Sequence, residues 1–457
     1  MHRKWWVLLS IGIASFMAAL DASVVNTILP VVQREFVCDV AAVQWTVTLY
    51  PLTVSVLLLL FGRLGDILGH RSIYISGFWL FVIGSALCGL SPGIVALIAF
   101  RCFQAVGAAM VFASSPALLT LHFPANQRGQ ALGMQATMTY LGLAIGPALG
   151  GWLAQTFTWR AVFYINVPVG AVALAAGMFF IPKAARQSSE ERFDYLGAAL
   201  FMVGLVALLF GLNRAHDWGW ASSQVLSLSA ASAVLLASFL VVELRTVHPM
   251  LDLSLFRQRV FSASVTAAVL NYVCMSTIGF LMPFYLIQGR GLDMRHAGIL
   301  LTVQPLAMAI AAPISGTISD RIRSSLPSTI GMAILAAGTL LLSLVSQDTP
   351  FVSIAAAFCV TGLGTGIFIS PNNSALMGSA PANRQGIAAG MMATSRNFGM
   401  VLGIGLSGAV FTTALTQGHK PIDAIVSGLH VATIAAVLGA LVSLARPKRE
   451  DAVETHE

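Results

Sequence analysis

The sequence predicts an all-α integral membrane protein: two related six-helix bundles with two further helices inserted between them, fourteen membrane spans in all. Three observations lead there. The chain of 457 residues is 57% hydrophobic and only 9% charged, with a mean hydropathy of +0.83, whereas soluble domains carry about 25% charged residues. Apolar stretches close to the ~20 residues that a bilayer-crossing helix needs recur along the whole chain. The chain also repeats itself: residues 125–151 and 382–408 align without a gap, 257 positions apart, with 12 of 27 residues identical. The shared residues include Gly129/Gly386, Gly133/Gly390, Gly142/Gly399, Gly146/Gly403 and Gly151/Gly408. Small residues at such spacings let helices approach closely in lipid. Soluble helical arrays repeat every ~20–50 residues, so this offset is a whole bundle plus what lies between the bundles.

The elements follow in order. Span 5–29 comes after His2-Arg3-Lys4; its apolar run is too long for a cleavable signal and no A-x-A site is evident, so it reads as a retained helix. Spans 42–61, 73–91, 94–118, 131–153 (the first copy of the glycine pattern) and 160–181 complete a first bundle, residues 1–182. Polar linkers at 182–194 and 244–259 bracket spans 195–212 and 223–243, so 183–259 reads as an inserted pair. Spans 260–284, 296–318, 328–346, 350–377, 388–415 (the second copy) and 424–445 form the second bundle, 260–446, before a charged tail, 447–457. Gly107 and Pro116 match Gly362 and Pro371, and Gly62 and Asp66 match Gly316 and Asp320, at nearly the same offset.

Charge sets the orientation. With a cytoplasmic N-terminus, 17 of the 25 lysines and arginines fall in inner segments and 6 in outer ones; Arg101 and Arg396 lie within or at the edge of spans. The positive-inside bias then requires an even number of spans and both termini in the cytoplasm. The net charge of +7 therefore reports topology and not nucleic-acid binding. Cys38, Cys88, Cys102, Cys274 and Cys359 show no metal-ligand spacing and read as small apolar packing residues. No metal and no cofactor is expected.

Few residues can carry chemistry inside such a chain. Asp21 is the one acid deep in a span, about 24 Å above Trp5 at 1.5 Å per residue. Burying it ionised costs about 2.5–3.5 kcal/mol on insertion scales. It reads either as a proton or cation carrier, or as a structural acid stabilising a bend near Asn26 and Pro30. Arg101, about 10 Å below the outer surface on an inward-running helix, lies at a similar depth. Asp21, Arg101 and Gln104 can then form one polar cluster. Asn26, Gln104, Asn271, Gln304 and Asn372 are the candidate cavity residues. Asp66 and Asp320 sit in matching inner loops, where a carboxylate gains about 0.3–1 kcal/mol at a helix N-terminus. Pro147 interrupts a mid-span hydrogen bond and is expected to bend its helix.

Four motifs on these elements resemble the major facilitator superfamily, and more narrowly its fourteen-span drug:proton antiporter branch typified by EmrB and QacA. Leu20–Pro30 is similar to that branch's first-helix pattern. Gly62–Arg71 (G-R-L-G-D-I-L-G-H-R) resembles the superfamily's cytoplasmic loop, with His70 where an arginine is commoner. Arg101–Ala109 resembles the buried-arginine motif, with Ala105 in place of its first glycine. Gly142–Gly151, including Gly146, Pro147 and Gly150, resembles the antiporter motif. The resemblance implies that the first and fourth helices line a central cavity and that Asp21 and Arg101 couple protons. It also implies a conformational latch of Gly62, Asp66, Arg71 and Asp320, in which Asp66 reaches the start of span 13 near Gly386. By symmetry Asp320 reaches the start of span 5 near Gly129.

The function implied is a proton-coupled transporter in the cell membrane, powered by the proton gradient, that exports lipophilic drugs or similar amphiphiles by alternating access. Two halves on one template with a site between them suit such a cycle. A same-fold transporter of a natural metabolite or lipid, or an uptake symporter, is the alternative. An intramembrane enzyme or channel is more remote, since no nucleophile–base pair or metal motif stands in the spans. The partners implied are the amphiphilic substrate, protons and membrane lipid, with a periplasmic adaptor in a two-membrane bacterium, and no nucleic acid.

Overall fold

Fifteen α-helices make up most of the described chain. The computed structural model describes residues 3–38, 40–182, 193–219, 222–246, 249–292, 294–322 and 326–446. The helices are α1 (Arg3–Phe36), α2 (Val40–Leu68), α3 (His70–Gly89), α4 (Ile94–His122), α5 (Arg128–Thr156), α6 (Ala161–Tyr164), α7 (Asn166–Phe180), α8 (Tyr195–Trp218), α9 (Ser223–Arg245), α10 (Arg259–Phe284), α11 (Met294–Ile322), α12 (Leu326–Ser343), α13 (Phe351–Ser379), α14 (Gln385–Thr416) and α15 (Pro421–Leu444). Most of the 182–194 linker and the whole 447–457 tail lie outside the described residues.

Twelve helical segments among the described residues are long and apolar enough to cross a bilayer, not the fourteen expected. Two expected spans miss the measure for different reasons. Helix α5 has the length, 29 residues, but its glycines, glutamines and threonines dilute its hydropathy. In α8 the described apolar stretch, Tyr195–Gly211, is shorter than a bilayer crossing needs. The expected span 160–181 is broken at Ile165 into α6 and α7. Pro168 supplies the reason: it has no N–H to give the carbonyl of Tyr164 four residues back.

The chain folds as two compact units. Unit 1 comprises Met1–Pro124, Met138–Leu253 and Ala380–Ala393; unit 2 comprises Ala125–Thr137, Ser254–Ser379 and Thr394–Glu457. The short segments 125–137 and 380–393 are counterparts in the repeat, so each unit contains the opening turns of the other half's glycine-patterned helix. Within unit 1, α4 packs along α2 and α3, α7 along α1 and α3, and the inserted pair α8 and α9 packs on itself and against α2. Within unit 2 the corresponding pairs recur: α13 along α11 and α12, and α15 along α10 and α12. Close backbone approach needs glycine here. A Cβ on Gly107 would strike the α3 backbone, and one on Gly364 the α12 backbone.

The unit 1 core includes Val24, Val25, Ile28, Trp159 and Phe163. The unit 2 core centres on Ile278, Leu281, Met282, Phe358 and Leu429, with Met332, Leu335 and Phe368 nearby on the α12–α13 face.

Candidate functional site

Unit 1 encloses a polar cluster drawn from five helices. Helix α1 carries Asp21 in an otherwise apolar run. Helix α4 presents Arg101 and Gln104 one turn apart, on one face. Helix α3 adds Ser85, α2 adds Tyr50, and α7 opens with Asn166. All are buried: Asp21, Gln104 and Ser85 at 0% exposure, Arg101 and Asn166 at 1%.

The Asp21 carboxylate accepts from three donors. Arg101 Nη1 donates to Oδ2 at 2.5 Å. Gln104 Nε2 and Asn166 Nδ2 donate to Oδ1 at 3.0 and 2.7 Å. Gln104 is itself fixed, accepting from Arg101 Nη1 at 2.6 Å and lying 2.7 Å from Ser85 Oγ through Nε2. Arg101 Nε reaches the Thr46 carbonyl at 3.4 Å, and its guanidinium lies 4.1 Å from the Tyr50 ring centroid. Burying an ion pair costs several kcal/mol per ion unless hydrogen bonds satisfy what the pair leaves over, and the two amides do that here. Two groups remain unsatisfied: Asn166 Oδ1 and Tyr50 Oη are buried with no hydrogen-bond partner. The cluster holds the Asp21 charge with three donors, and a proton arriving at Oδ1, which already accepts from two of them, competes with one.

Other predicted residues fall into separate places. Asp66 caps the start of α14: its oxygens accept from Gly386 N at 2.7 Å and Ile387 N at 3.1 Å, within unit 1. His70 Nε2 lies 3.2 Å from the same Asp66 Oδ1. Asp320 caps the start of α5 within unit 2, accepting from Gly129 N at 2.9 Å and Gln130 N at 2.8 Å. Gly62 meets Gly386 backbone to backbone. Arg71 stands apart from this group: Nε and Nη2 donate to Ile181 O at 2.8 Å and Met178 O at 2.9 Å, closing the end of α7.

The antiporter-motif helix divides by face. On α5, Gly142, Gly146 and Gly150 lie against α1, where a Cβ would strike Phe16, Ser23 and Thr27 in turn. Ser23 Oγ donates to the Gly142 carbonyl at 3.3 Å. Gly151 has open space where its Cβ would be, and Pro147 is exposed, so neither belongs to that seam; α5 runs unbroken through Pro147.

The candidate cavity residues divide between the two units. Gln104 belongs to the Asp21 cluster. In unit 2, Asn372 donates to Ser264 O at 3.1 Å and accepts a short bond from Arg446 Nη2. Burial pushes the Arg446 guanidinium down to about 10. Asn271 is fully buried and its Nδ2 faces Met275 Sδ at 3.8 Å. Gln304 is half-buried with Nε2 unpartnered. The Asn26 side chain lies outside what the structure describes.

Sequence reasoning did not single out Ser85, Tyr50 or Asn166 as members of the cluster. It also missed Glu35, which accepts from Trp159 Nε1 at 2.5 Å and pairs with Arg160. The hydrogen bond from Arg160 holds the Glu35 carboxyl below the usual carboxylate range. Glu243 is a further buried acid, 4% exposed, clamping the backbone amides of Met250 and Leu251 at 3.2 and 3.0 Å.

Residues 11–404 match the Major Facilitator Superfamily. The riboflavin transporter RibZ of Clostridioides difficile is 34% identical over 423 residues, 92% of this chain and 91% of that protein. The multidrug resistance protein Stp of Mycobacterium tuberculosis is 31% identical over 415 residues, 91% of this chain and 77% of that protein. The fold of the human organic anion transporter MFSD10 (TETRAN) superposes with a TM-score of 0.69 at 13% identity, covering 96% of this chain and 99% of that one. The chain belongs to the major facilitator superfamily: it is a multi-pass membrane transporter and not an enzyme.

Proposed function

We propose that this transporter exports lipophilic, drug-like amphiphiles in exchange for protons, with Asp21 as the proton-carrying group and Arg101 as its counter-charge. One observation carries the reading: a fully buried carboxylate held by an arginine and two amides in the interior of one unit. A carrier of this kind must bind and release a proton in each cycle, and the donors around Asp21 are individually breakable. The drug-resistance name of the Stp relative supports an exported, lipophilic cargo. Asp66 and Asp320 serve as reversible latches in an alternating-access cycle. Helices α5 and α8 span the bilayer with the twelve apolar segments, α6 and α7 together making one of them, as in the fourteen-span branch, and both termini face the cytoplasm of the cell membrane.

The test is uptake of a fluorescent lipophilic cation into inverted membrane vesicles, with and without a proton gradient. Gradient-dependent uptake that is lost in Asp21→Asn, with the protein still inserted, is expected. Full gradient-driven uptake by Asp21→Asn removes Asp21 from the mechanism. A second reading is favoured by the riboflavin-transporting relative: carriage of a natural metabolite of similar polarity. Competition of riboflavin with the lipophilic cation separates the two.

A further inference from the structure

The amide of Asn166 is half used. Its Nδ2 donates to Asp21 Oδ1 at 2.7 Å, while its Oδ1 is buried without a hydrogen-bond partner. The orientation is dictated by charge. Reversed, the amide would set its own oxygen against an ionised carboxylate oxygen. The other amide at the site lacks this freedom, because Gln104 Oε1 is held by Arg101 and Gln104 Nε2 by Ser85 as well as Asp21. An unpartnered acceptor one bond rotation away from a carboxylate is placed to receive a hydrogen bond when that carboxylate bears a proton.

We propose that Asn166 reads the protonation state of Asp21 by turning its amide over, donating to the carboxylate and accepting from the carboxylic acid. The inference rests on the reading of Asp21 as the proton carrier. A proton from bulk water forms the Asp21 Oδ1–H bond. The Nδ2–H···Oδ1 hydrogen bond breaks, and the new O–H donates to Asn166 Oδ1. No other bond changes, and loss of the proton reverses the step. The charged and titratable groups facing the site are Arg101 from α4, Tyr50 from α2 and Cys88 from α3. Arg101 keeps its place on Oδ2 throughout, so the amide is the element with two states. Asn166 opens α7 just after the break at Ile165, where one carbonyl already lacks its helix partner, so the flip is tied to a weak point of the helix.

This makes Asn166 a positioning residue with a spectroscopic signature. The experiment is pH-induced infrared difference spectroscopy on the full-length transporter in lipid, with asparagine carrying a heavy-isotope side-chain amide. Expected are a protonated-carboxyl band that disappears in Asp21→Asn, together with an isotope-shifted asparagine amide band that disappears in Asn166→Leu. In Asn166→Leu the carboxyl band should also move to the higher frequency of an acid with no acceptor. A carboxyl band with no accompanying asparagine band in the wild type overturns the flip and leaves Asn166 a fixed donor. A carboxyl band that survives Asp21→Asn instead overturns the assignment of the proton site. Transport gives a second discriminant that distinguishes the same two cases. A fixed donor stabilises only the ionised acid, so Asn166→Leu would move the pH midpoint of transport tenfold or more in proton concentration toward alkaline. A switching amide serves both forms, so the midpoint stays within about threefold while the maximal rate falls.

Discussion

Neutralising Asp66 should unprotect two particular backbone amides. Gly386 and Ile387 lie in the first turn of α14, where N–H groups have no partner within the helix. Their protection therefore comes from the Asp66 carboxylate, which is 2% exposed and lies at 2.7 and 3.1 Å from them. In Asp66→Asn one oxygen still accepts from Gly386, but the new NH2 group faces the Ile387 N–H and leaves it unpaired. A hydrogen bond to a charged group contributes about 1.5–3 kcal/mol, and the charge at the helix start about 0.3–1 kcal/mol more. Taking a net loss of about 2 kcal/mol at the unpaired amide, Ile387 should exchange about 30-fold faster, and Gly386, which keeps a neutral acceptor, faster by less.

Hydrogen–deuterium exchange of the peptide spanning residues 380–390, read by mass spectrometry in detergent, measures this directly. Asp320→Asn supplies the internal control, because its carboxylate holds Gly129 and Gln130 and not α14. It should accelerate exchange around 128–130 and leave 386–387 unchanged. Unchanged exchange at Gly386 and Ile387 in Asp66→Asn would show that something other than the carboxylate protects that helix start, and the latch reading would fail.

Three further outcomes are expected. Arg101→Ala should destabilise the protein by about 3–5 kcal/mol by stranding the Asp21 charge; adding Asp21→Asn should restore part of the lost melting temperature, and no restoration would mean the two are not coupled. Gly146→Ala should cost about 1–3 kcal/mol by overpacking against Ser23, whereas Gly151→Ala, facing open space, should stay within ~0.5 kcal/mol; equal effects in thermal melts would deny the α1–α5 seam. Glu35, whose folded-state carboxyl is held low by Arg160, stabilises the fold at pH values above the ordinary carboxylate range and loses that contribution as pH falls through its folded value. The melting difference between wild type and Glu35→Gln should therefore be full at pH 7 and close only under strong acid, and a gap already closed at pH 6 would contradict the assignment.

How far the site was legible depended on the chemistry of each residue. Asp21 and Arg101 stood out because a charge inside ~20 apolar residues is costly enough to be rare. Their partners are cheap to bury: Asn166, Ser85 and Tyr50 are uncharged, and the spans hold other such residues, among them Asn271, Gln304 and Asn372. Nothing in spacing separates Asn166, which is 145 residues from Asp21, from Asn372, which is engaged with Arg446. The resemblance put Arg71 in a latch because the loop motif contains it, while the fold uses it to close α7. Helix α5 was legible through the repeat and not through hydropathy, since the glycines that let it pack on α1 also lower its apolar content.

The repeat and the matched aspartates turn out to be one device. In both halves a glycine precedes the aspartate by four residues, Gly62 before Asp66 and Gly316 before Asp320, which is one helical turn. The glycine lets another helix's start approach to backbone contact, Gly62 with Gly386 and Gly316 with Gly129. The aspartate, one turn on, then reaches the unpaired amides of that start. The shared A-N-x-x-G of residues 125–129 and 382–386 supplies the matching glycine. That is why the segments grouped with the opposite half, 125–137 and 380–393, coincide with the start of the repeat. The copies differ in one respect. Asp66 Oδ1 is shared between Gly386 N and His70 Nε2, whereas Asp320 receives Gly129 N on Oδ1 and Gln130 N on Oδ2. An acceptor divided between two donors holds each less firmly, so the histidine that replaces the commoner arginine makes the Asp66 contact the easier of the two to loosen.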